Sequence, residues 1–403
     1  MKTRRVSSIF VVWAVTLMLA PLPVPLLIAE EPTLKIDAER AGFHPERLSA
    51  IRQRMQQFVE QGEAAGVVTL VAKDGVIAAW DAVGYRDWEA KQPMQRDTLF
   101  AIASMTKPIT ATAFMILVDE GKVSLDDPIV KYLPAFKETR LADGSAPRRD
   151  ITIRDCLTHT SGIVGDQRNT GTLAETVERL ARRPLAFHPG ERWAYSPGLT
   201  VVGRIIEVVS GEPYERFLER RLFEPLGMNE TTFRPAGEQL QRVARLYKPG
   251  PKPGTLAAAT HWINELSDDR SPNPSAGLFS TAGDLFRFYQ MVLDGGQFAG
   301  KQILSAEAVR QMVSLQTGDL ATGFTPGNGW GLGWCVVREP QGVTAMLRPG
   351  TFGHGGAFGT QGWVEPERRL VFVLLVQRTE FGNSDASALR AEFQRLAVEA
   401  LRP

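Results

Sequence analysis

Cysteine is nearly absent from this chain of 403 residues: only Cys156 and Cys335 occur, far apart and each flanked by apolar residues. Two cysteines cannot supply a disulfide framework or a zinc site with cysteine ligands. A single long-range disulfide stays open, but two buried free thiols are the favoured interpretation. The five histidines are scattered singly. We therefore expect neither a metal ion nor another cofactor.

An excess of charge of either sign is also missing. The sequence has 46 Lys and Arg against 45 Asp and Glu, a formal net charge of +1. A near-neutral chain has no overall field to hold nucleic acid or an anionic membrane, so no nucleic-acid partner is expected. With 43% hydrophobic and 23% charged residues, the composition is that of a globular protein and excludes collagen-like and wholly disordered chains.

Several catalytic signatures are absent as well. The sequence contains no G-x-S-x-G elbow, no H-E-x-x-H pair and no Walker loop. The G-W-G-L-G run that ends at Gly333 lacks the spacing of a dinucleotide-binding loop.

The first residues have the pattern of an export signal. Three basic residues within positions 2–5 precede an apolar run over 9–20, and the prolines that follow would break a helix. We predict cleavage after Ala29, while an uncleaved anchor stays open. The protein is therefore expected to be exported, periplasmic or secreted, with 1–29 as signal peptide or anchor and any membrane contact made only through that segment.

Strand patterns lie near both chain ends and helical periodicity lies between them. The segments 67–72 and 76–83 flank a Lys73-Asp74-Gly75 hairpin signature, and further strands are predicted over 331–337, 358–364 and 370–377. Helices are predicted over 45–61, 105–120, 153–157, 173–181, 199–210, 213–221, 281–294 and 386–401.

This order favours an α+β fold. Both chain ends would form one antiparallel sheet flanked by the terminal helices, with a mainly helical lobe inserted between them. We expect one domain over 30–403, with an α/β lobe at about 35–100 and 325–403 and a helical lobe at about 101–324. The cleft between the lobes is where a ligand site is expected.

A Ser-x-x-Lys motif opens one of the predicted helices. Ser104 and Lys107 are one helical turn apart and follow a short apolar run, so their side chains would share a face. A serine at a helix N-terminus also lies where free N–H groups favour developing negative charge. The motif alone is a weak signal, because a capping serine beside a solvated lysine gives the same pattern.

Two further segments strengthen the signal. Trp193-Ala194-Tyr195-Ser196-Pro197-Gly198 presents a tyrosine on a turn, and Gly353-His354-Gly355-Gly356-Ala357 precedes a predicted strand. The ordered set of Ser-x-x-Lys, a tyrosine motif and a late His-Gly-Gly resembles the serine β-lactamase and penicillin-binding-protein superfamily. Within it, the chain is most similar to class C β-lactamases and β-lactamase-like carboxylesterases. The likeness covers roughly residues 35–400 and implies a β-lactamase/transpeptidase-like fold.

The resemblance implies a catalytic group of three residues. Ser104 would be the nucleophile that forms an acyl-enzyme. Either Lys107 or Tyr195 would take its proton, and the sequence does not decide between them. The oxyanion hole would consist of the backbone N–H groups of Ser104 and Ala357.

The same resemblance implies a substrate-binding strand. His354 stands where many relatives have lysine, and it could bind a substrate carboxylate if protonated or hydrogen-bond the Tyr195 oxygen. Gly355 and Gly356 would let the substrate approach the strand edge.

One departure from the pattern bears on the substrate. Lactamases and peptidases of this group usually have Tyr-x-Asn, whereas here Pro197 occupies the asparagine position. This favours a serine hydrolase acting on an ester or an unfamiliar small acyl substrate, but the sequence does not exclude a lactam, a D-alanyl peptide or another peptidoglycan fragment. The alternative is a catalytically weak relative that binds cell-wall fragments or a partner in the same cleft.

Overall fold

The hairpin signature forms the turn that it predicts. In the computed structural model, which describes residues 34–267 and 269–403, strand Gly66–Lys73 is followed by strand Val76–Asp87. Asp74 and Gly75 connect them with φ angles of 52° and 79°, and Lys73 pairs with Val76. Positive φ at both positions is what a two-residue turn needs to match the twist of its strands.

The helices and strands are numbered here in chain order. The helices are α1 Pro45–Glu60, α2 Thr106–Asp119, α3 Ile153–Thr158, α4 Leu173–Ala181, α5 Gly198–Ser210, α6 Tyr214–Leu218, α7 Glu224–Leu226, α8 Ala282–Leu293, α9 Ala306–Val313 and α10 Ala388–Glu399. The strands are β1 Gly66–Lys73, β2 Val76–Asp87, β3 Gln92–Pro93, β4 Phe100–Ala101, β5 Tyr247–Pro249, β6 Leu256–Ala258, β7 Phe279–Ser280, β8 Gln297–Phe298, β9 Lys301–Gln302, β10 Asn328–Trp330, β11 Cys335–Val337, β12 Phe352–Gly355, β13 Gln361–Glu365 and β14 Leu370–Val376.

One antiparallel sheet joins the two ends of the chain, as the sequence predicted. Its strand order is β10-β11-β12-β13-β14-β1-β2-β3. The central contact pairs β1 with β14, from Val67 opposite Val376 to Lys73 opposite Leu370. The predicted α+β class is thus confirmed.

Both faces of this sheet are covered, which explains why its central strands are apolar throughout. On β1, Val68 and Leu70 face a core that includes α2 and α8, whereas Val67 and Val71 face a second core under α1 and α10. A strand buried on both faces has no polar side to alternate with. Within the described residues, none of the helices has the length and hydropathy needed to cross a bilayer.

The predicted strand over 358–364 overlaps β13 but begins three residues too early, and the strand that carries His354 was not predicted. His354 and Gly355 belong to strand β12, and β13 begins only at Gln361. Between them the chain turns, with the Gly356 N–H donating to the Thr360 carbonyl at 2.7 Å. Strand β12 could not be recognised from the sequence pattern, because its segment is rich in glycine, which has low strand propensity.

The segment predicted as one strand over 331–337 is also divided. Strand β10 ends at Trp330 and β11 starts at Cys335, because Gly333 has a φ of 77° and turns the chain. The predicted helix over 213–221 is α6 followed by a π-helical turn, Glu219–Phe223. Most other helix ends differ from the predictions by one or two residues.

The middle of the chain also contains short strands that the sequence did not reveal. Strand β4 pairs with β7, bringing Phe100 opposite Ser280.

Residues 34–403 form one compact unit, and the predicted lobe boundaries stay a prediction. Cys156 and Cys335 are both buried free thiols, in agreement with the favoured interpretation. The predicted export segment, 1–29, lies outside the described residues.

Candidate active site

Ser104 is held at the junction of a short strand and a helix. After β4, the Ile102 N–H donates to the Leu278 carbonyl at 3.0 Å, and a 3-10 turn, Ala103–Met105, leads into α2. Ala103 is fully buried and has a φ of 47°. A non-glycine residue in this region costs of order 1–3 kcal/mol, and such strain is tolerated where the surrounding packing fixes it.

Lys107 points back at Ser104 from the first turn of α2. Its Nζ lies 3.4 Å from the Ser104 Oγ, 2.8 Å from the Ser275 carbonyl oxygen and 3.2 Å from the Gln167 Oε1. The side chain is fully buried. The sequence analysis had not assigned Ser275 or Gln167 a role. Ser275 begins the segment Ser275–Thr281, which resembles a structural signature of the same superfamily, whereas Gln167 lies in a loop without a recognisable motif.

The surroundings of Lys107 favour its uncharged form. No carboxylate of the described chain forms an ion pair with its ammonium group, and burial lowers the pKa of Lys107 well below its ordinary value. A neutral amine has two N–H donors and one lone pair. The two donors suit the carbonyl oxygens of Ser275 and Gln167, which leaves the lone pair for the hydroxyl proton of Ser104.

Tyr195 completes the group. Its hydroxyl interacts with the Ser104 side chain, which lowers the phenol pKa, but desolvation by burial is the larger effect and raises it above the ordinary value. The Lys107 Nζ lies 4.5 Å from the centre of the Tyr195 ring. The phenol therefore carries its proton in the resting site, and its ring can stabilise a positive charge on Lys107. The structure thus brings together the three residues that the sequence predicts to be catalytic.

His159 positions the tyrosine turn. Its Nδ1 accepts the Ser196 backbone N–H at 3.1 Å, and its ring lies 4.6 Å from that of Tyr195. Desolvation by burial lowers the pKa of His159. The residue ends α3 with a φ of 61°. These contacts assign His159 a structural role.

Aromatic rings that the sequence analysis had not combined surround Tyr195. Trp193, Phe324 and Trp330 have ring centres within 6.2 Å of the Tyr195 ring. Trp193 could have been found from the sequence, because it stands two residues before Tyr195. Phe324 could not be found in this way, because it comes from a loop more than a hundred residues away.

His354 lies on β12 beside this cluster and is almost fully buried. Its Nδ1 is 2.6 Å from the Gly355 carbonyl oxygen, so that nitrogen carries the proton and donates. The Nε2 has no hydrogen-bond partner among the described residues. Desolvation by burial is the main cause that lowers the pKa of His354 to about 4. It is therefore uncharged at neutral pH and offers no cation to a substrate carboxylate.

The predicted oxyanion donors lie on two adjacent segments. Ala357 is exposed in the turn after β12, and the Thr360 hydroxyl of that turn donates to the Ile102 carbonyl at 3.3 Å, two residues before Ser104. Neither the Ser104 N–H nor the Ala357 N–H donates to an acceptor in the part of the chain that the structure describes. Their role in binding an oxyanion stays a prediction.

The structure gives Gly355 and Gly356 a packing role. A Cβ on Gly355 would overlap the Asp385 carboxylate, and a Cβ on Gly356 would overlap the Thr360 hydroxyl and the Ile102 carbonyl. These neighbours account for both glycines without a substrate, so contact of the glycines with a substrate stays a prediction.

Comparison with known proteins shows which family the chain belongs to. The family described as Beta-lactamase matches residues 51–397. Esterase EstB from Burkholderia gladioli is 32% identical over 373 residues, covering 84% of this chain and 91% of that protein. Among solved structures, EstCE1, described as a hydrolase with promiscuous acyltransferase activity, has a TM-score of 0.77 at 25% identity and covers 89% of this chain and 99% of its own.

A penicillin-binding-protein homologue from Caulobacter crescentus shares the fold, with a TM-score of 0.73 at 22% identity, covering 89% of this chain and 99% of its own. The fold and the family agree with the resemblance seen in the motifs. The chain belongs to the Beta-lactamase family.

Proposed function

We propose that this protein is an exported carboxylesterase that works through an acyl-enzyme on Ser104. The observation that carries the proposal is the contact of the Ser104 hydroxyl with both the Tyr195 phenol and the buried Lys107 amine, whose pKa is lowered well below its ordinary value by burial. A serine hydroxyl is a poor nucleophile unless a base takes its proton, and Lys107 supplies that base. Export rests on the sequence pattern of residues 1–29.

Acylation begins when the Lys107 amine accepts the Ser104 proton and Oγ attacks the ester carbonyl carbon. The N–H groups of Ser104 and Ala357 would hold the resulting oxyanion, a contribution typically worth about 3–4 kcal/mol per donor. As the C–O bond breaks, the Tyr195 phenol gives its proton to the departing alcohol. The step leaves an acyl-serine, a Lys107 ammonium and a Tyr195 phenolate, whose opposite charges stabilise each other.

Deacylation reverses these roles. The Tyr195 phenolate takes a proton from water, and the hydroxide attacks the acyl carbon. When the tetrahedral species collapses, the Lys107 ammonium returns its proton to Ser104 Oγ. The products are a carboxylic acid and a free enzyme in its starting protonation state, so atoms and charges balance over the cycle.

An ester suits the site better than a β-lactam or a D-alanyl peptide. Pro197 has no side-chain group to hold a substrate amide, and the neutral His354 gives no positive charge for the carboxylate that those substrates carry. The esterase relative, EstB, also supports an ester substrate.

Ester and lactam hydrolysis should therefore differ in efficiency. We expect measurable cleavage of 4-nitrophenyl acetate and butyrate and weak or no turnover of nitrocefin, measured as kcat/KM on the same preparation. Equal or greater efficiency on nitrocefin would overturn the preference for esters. Stoichiometric labelling of Ser104 by penicillin with very slow release, and no ester turnover, would instead support the binding-protein alternative.

Replacing Tyr195 with phenylalanine should lower kcat by about 10²-fold or more, because the leaving alcohol loses its proton donor. The fold should be unaffected, since the aromatic contacts remain. The loss in kcat/KM, which reports acylation, should be smaller for 4-nitrophenyl esters than for ethyl esters, because nitrophenolate leaves without protonation. An equal loss in kcat/KM on both substrates would argue against proton donation by Tyr195.

A further inference from the structure

Phe324 is an exposed aromatic residue next to Tyr195, the proposed proton donor. The residue is 51% exposed, although its ring centre lies only 5.1 Å from that of Tyr195 and 5.9 Å from that of Trp193. The Trp193 Nε1 is buried and has no partner among the described residues. The wall formed by Phe324, Trp193 and Tyr195 therefore borders the site with an apolar surface.

The Phe324 loop is tied to the segment that carries the predicted oxyanion donor. The Asn383 Nδ2 donates to the Phe324 carbonyl oxygen at 2.7 Å. The next residue, Ser384, donates through Oγ to the Gly356 carbonyl at 3.1 Å, one residue before Ala357. These two hydrogen bonds hold the loop that carries the exposed Phe324 ring close to the segment of Ala357.

Tyr195 indicates which part of the substrate covers that ring. A group that protonates the departing oxygen must touch it, so the carbon chain attached to that oxygen extends from the Tyr195 hydroxyl. Phe324 packs edge-to-face against the Tyr195 ring, at an interplanar angle of 69°. Phe324 therefore lies against the residue whose hydroxyl would contact the departing oxygen.

We propose that Phe324 selects the alcohol portion of the substrate, favouring esters of uncharged alkyl or aryl alcohols long enough to cover its ring. This inference rests on the proposed esterase function, because it uses Tyr195 as the donor to the leaving oxygen. Contact between the alcohol chain and Phe324 exists before and during the reaction, so it should act mainly through KM.

Two ester series test the proposal. The first holds the acyl group constant as ethyl, butyl, hexyl and benzyl acetate; the second holds the alcohol constant as 4-nitrophenyl acetate, butyrate and octanoate. For Phe324→Ala we expect kcat/KM on hexyl and benzyl acetate to fall about 10-fold, through a higher KM, with little change on ethyl acetate. In the second series, kcat/KM should change by the same factor for every acyl group. Phe324→Leu, which keeps an apolar surface, should retain most of the wild-type preference.

Leu240→Ala is the matched control, because Leu240 is 46% exposed and has no part in the aromatic wall. It should leave both series unchanged. An unaltered alcohol preference in Phe324→Ala, or an effect confined to the acyl series, would overturn the proposal. A fluorophosphonate probe separates this failure from failure of the esterase function: labelled Ser104 in wild type and Phe324→Ala preserves the function, whereas absence of label in wild type removes it.

Discussion

Replacement of Ser104 by alanine is expected to reduce ester hydrolysis at least about 10³-fold and to abolish labelling by a fluorophosphonate probe. No other group in the proposed mechanism can form the acyl-enzyme, and loss of a nucleophile removes nearly the whole contribution of its catalytic group. The variant should fold normally, because only one oxygen atom is lost from a partly exposed side chain. Mass spectrometry of the labelled protein and initial rates on 4-nitrophenyl butyrate measure both effects.

Ser210 supplies the control for this variant. It ends α5, where its Oγ donates to the Ile206 carbonyl at 2.7 Å, and it has no contact with the proposed catalytic residues. Ser210→Ala should keep wild-type labelling and turnover. If Ser104→Ala retained turnover, another nucleophile would be responsible and the acyl-enzyme mechanism would have to be abandoned.

Lys107→Met should be the second most damaging change, with kcat/KM lowered about 10²–10⁴-fold through loss of the base. Methionine has a similar length and no charge, so the buried space stays filled. We therefore expect the melting temperature to remain close to that of the wild type. Retained activity in a folded Lys107→Met variant would show that the amine is not the base.

The pH dependence of the wild-type enzyme tests the charge of Lys107 directly. The neutral amine is the active form, so kcat/KM should rise with pH and be lost as pH falls through the pKa of Lys107. Because burial lowers that pKa well below its usual range, the rise should be complete far below the ordinary lysine pKa of about 10.4. A rate that keeps increasing up to that value would indicate a solvated lysine.

Burial of Lys107 also makes the stability of the folded protein depend on pH. In the unfolded chain Lys107 binds a proton below its ordinary pKa, whereas in the folded protein it stays neutral until a much lower pH. The unfolded state then binds more protons in this window, so the free energy of unfolding falls as pH decreases through it. Lys107→Met removes this dependence, which chemical denaturation at two pH values can detect.

Much of the fold could be predicted from local sequence patterns. The hairpin at Asp74-Gly75, the apolar strands at both ends and the helical middle were visible in the sequence, because turn geometry and burial leave periodic signals. The strand of His354 was missed, since glycines obscure strand periodicity. The short pairing of β4 with β7 was missed because two-residue strands leave no period to detect.

The sequence by itself determined the chemical groups of the site and the spacing of Ser104 and Lys107, because three residues along a helix bring two side chains to one face. Only the tertiary structure decided how those groups are charged. The oxygens of Gln167 and Ser275, which contact the amine, come from distant segments, as do the rings around Tyr195. Proton affinity depends on the loss of water around a group, and that loss arises only when remote parts of the chain pack together.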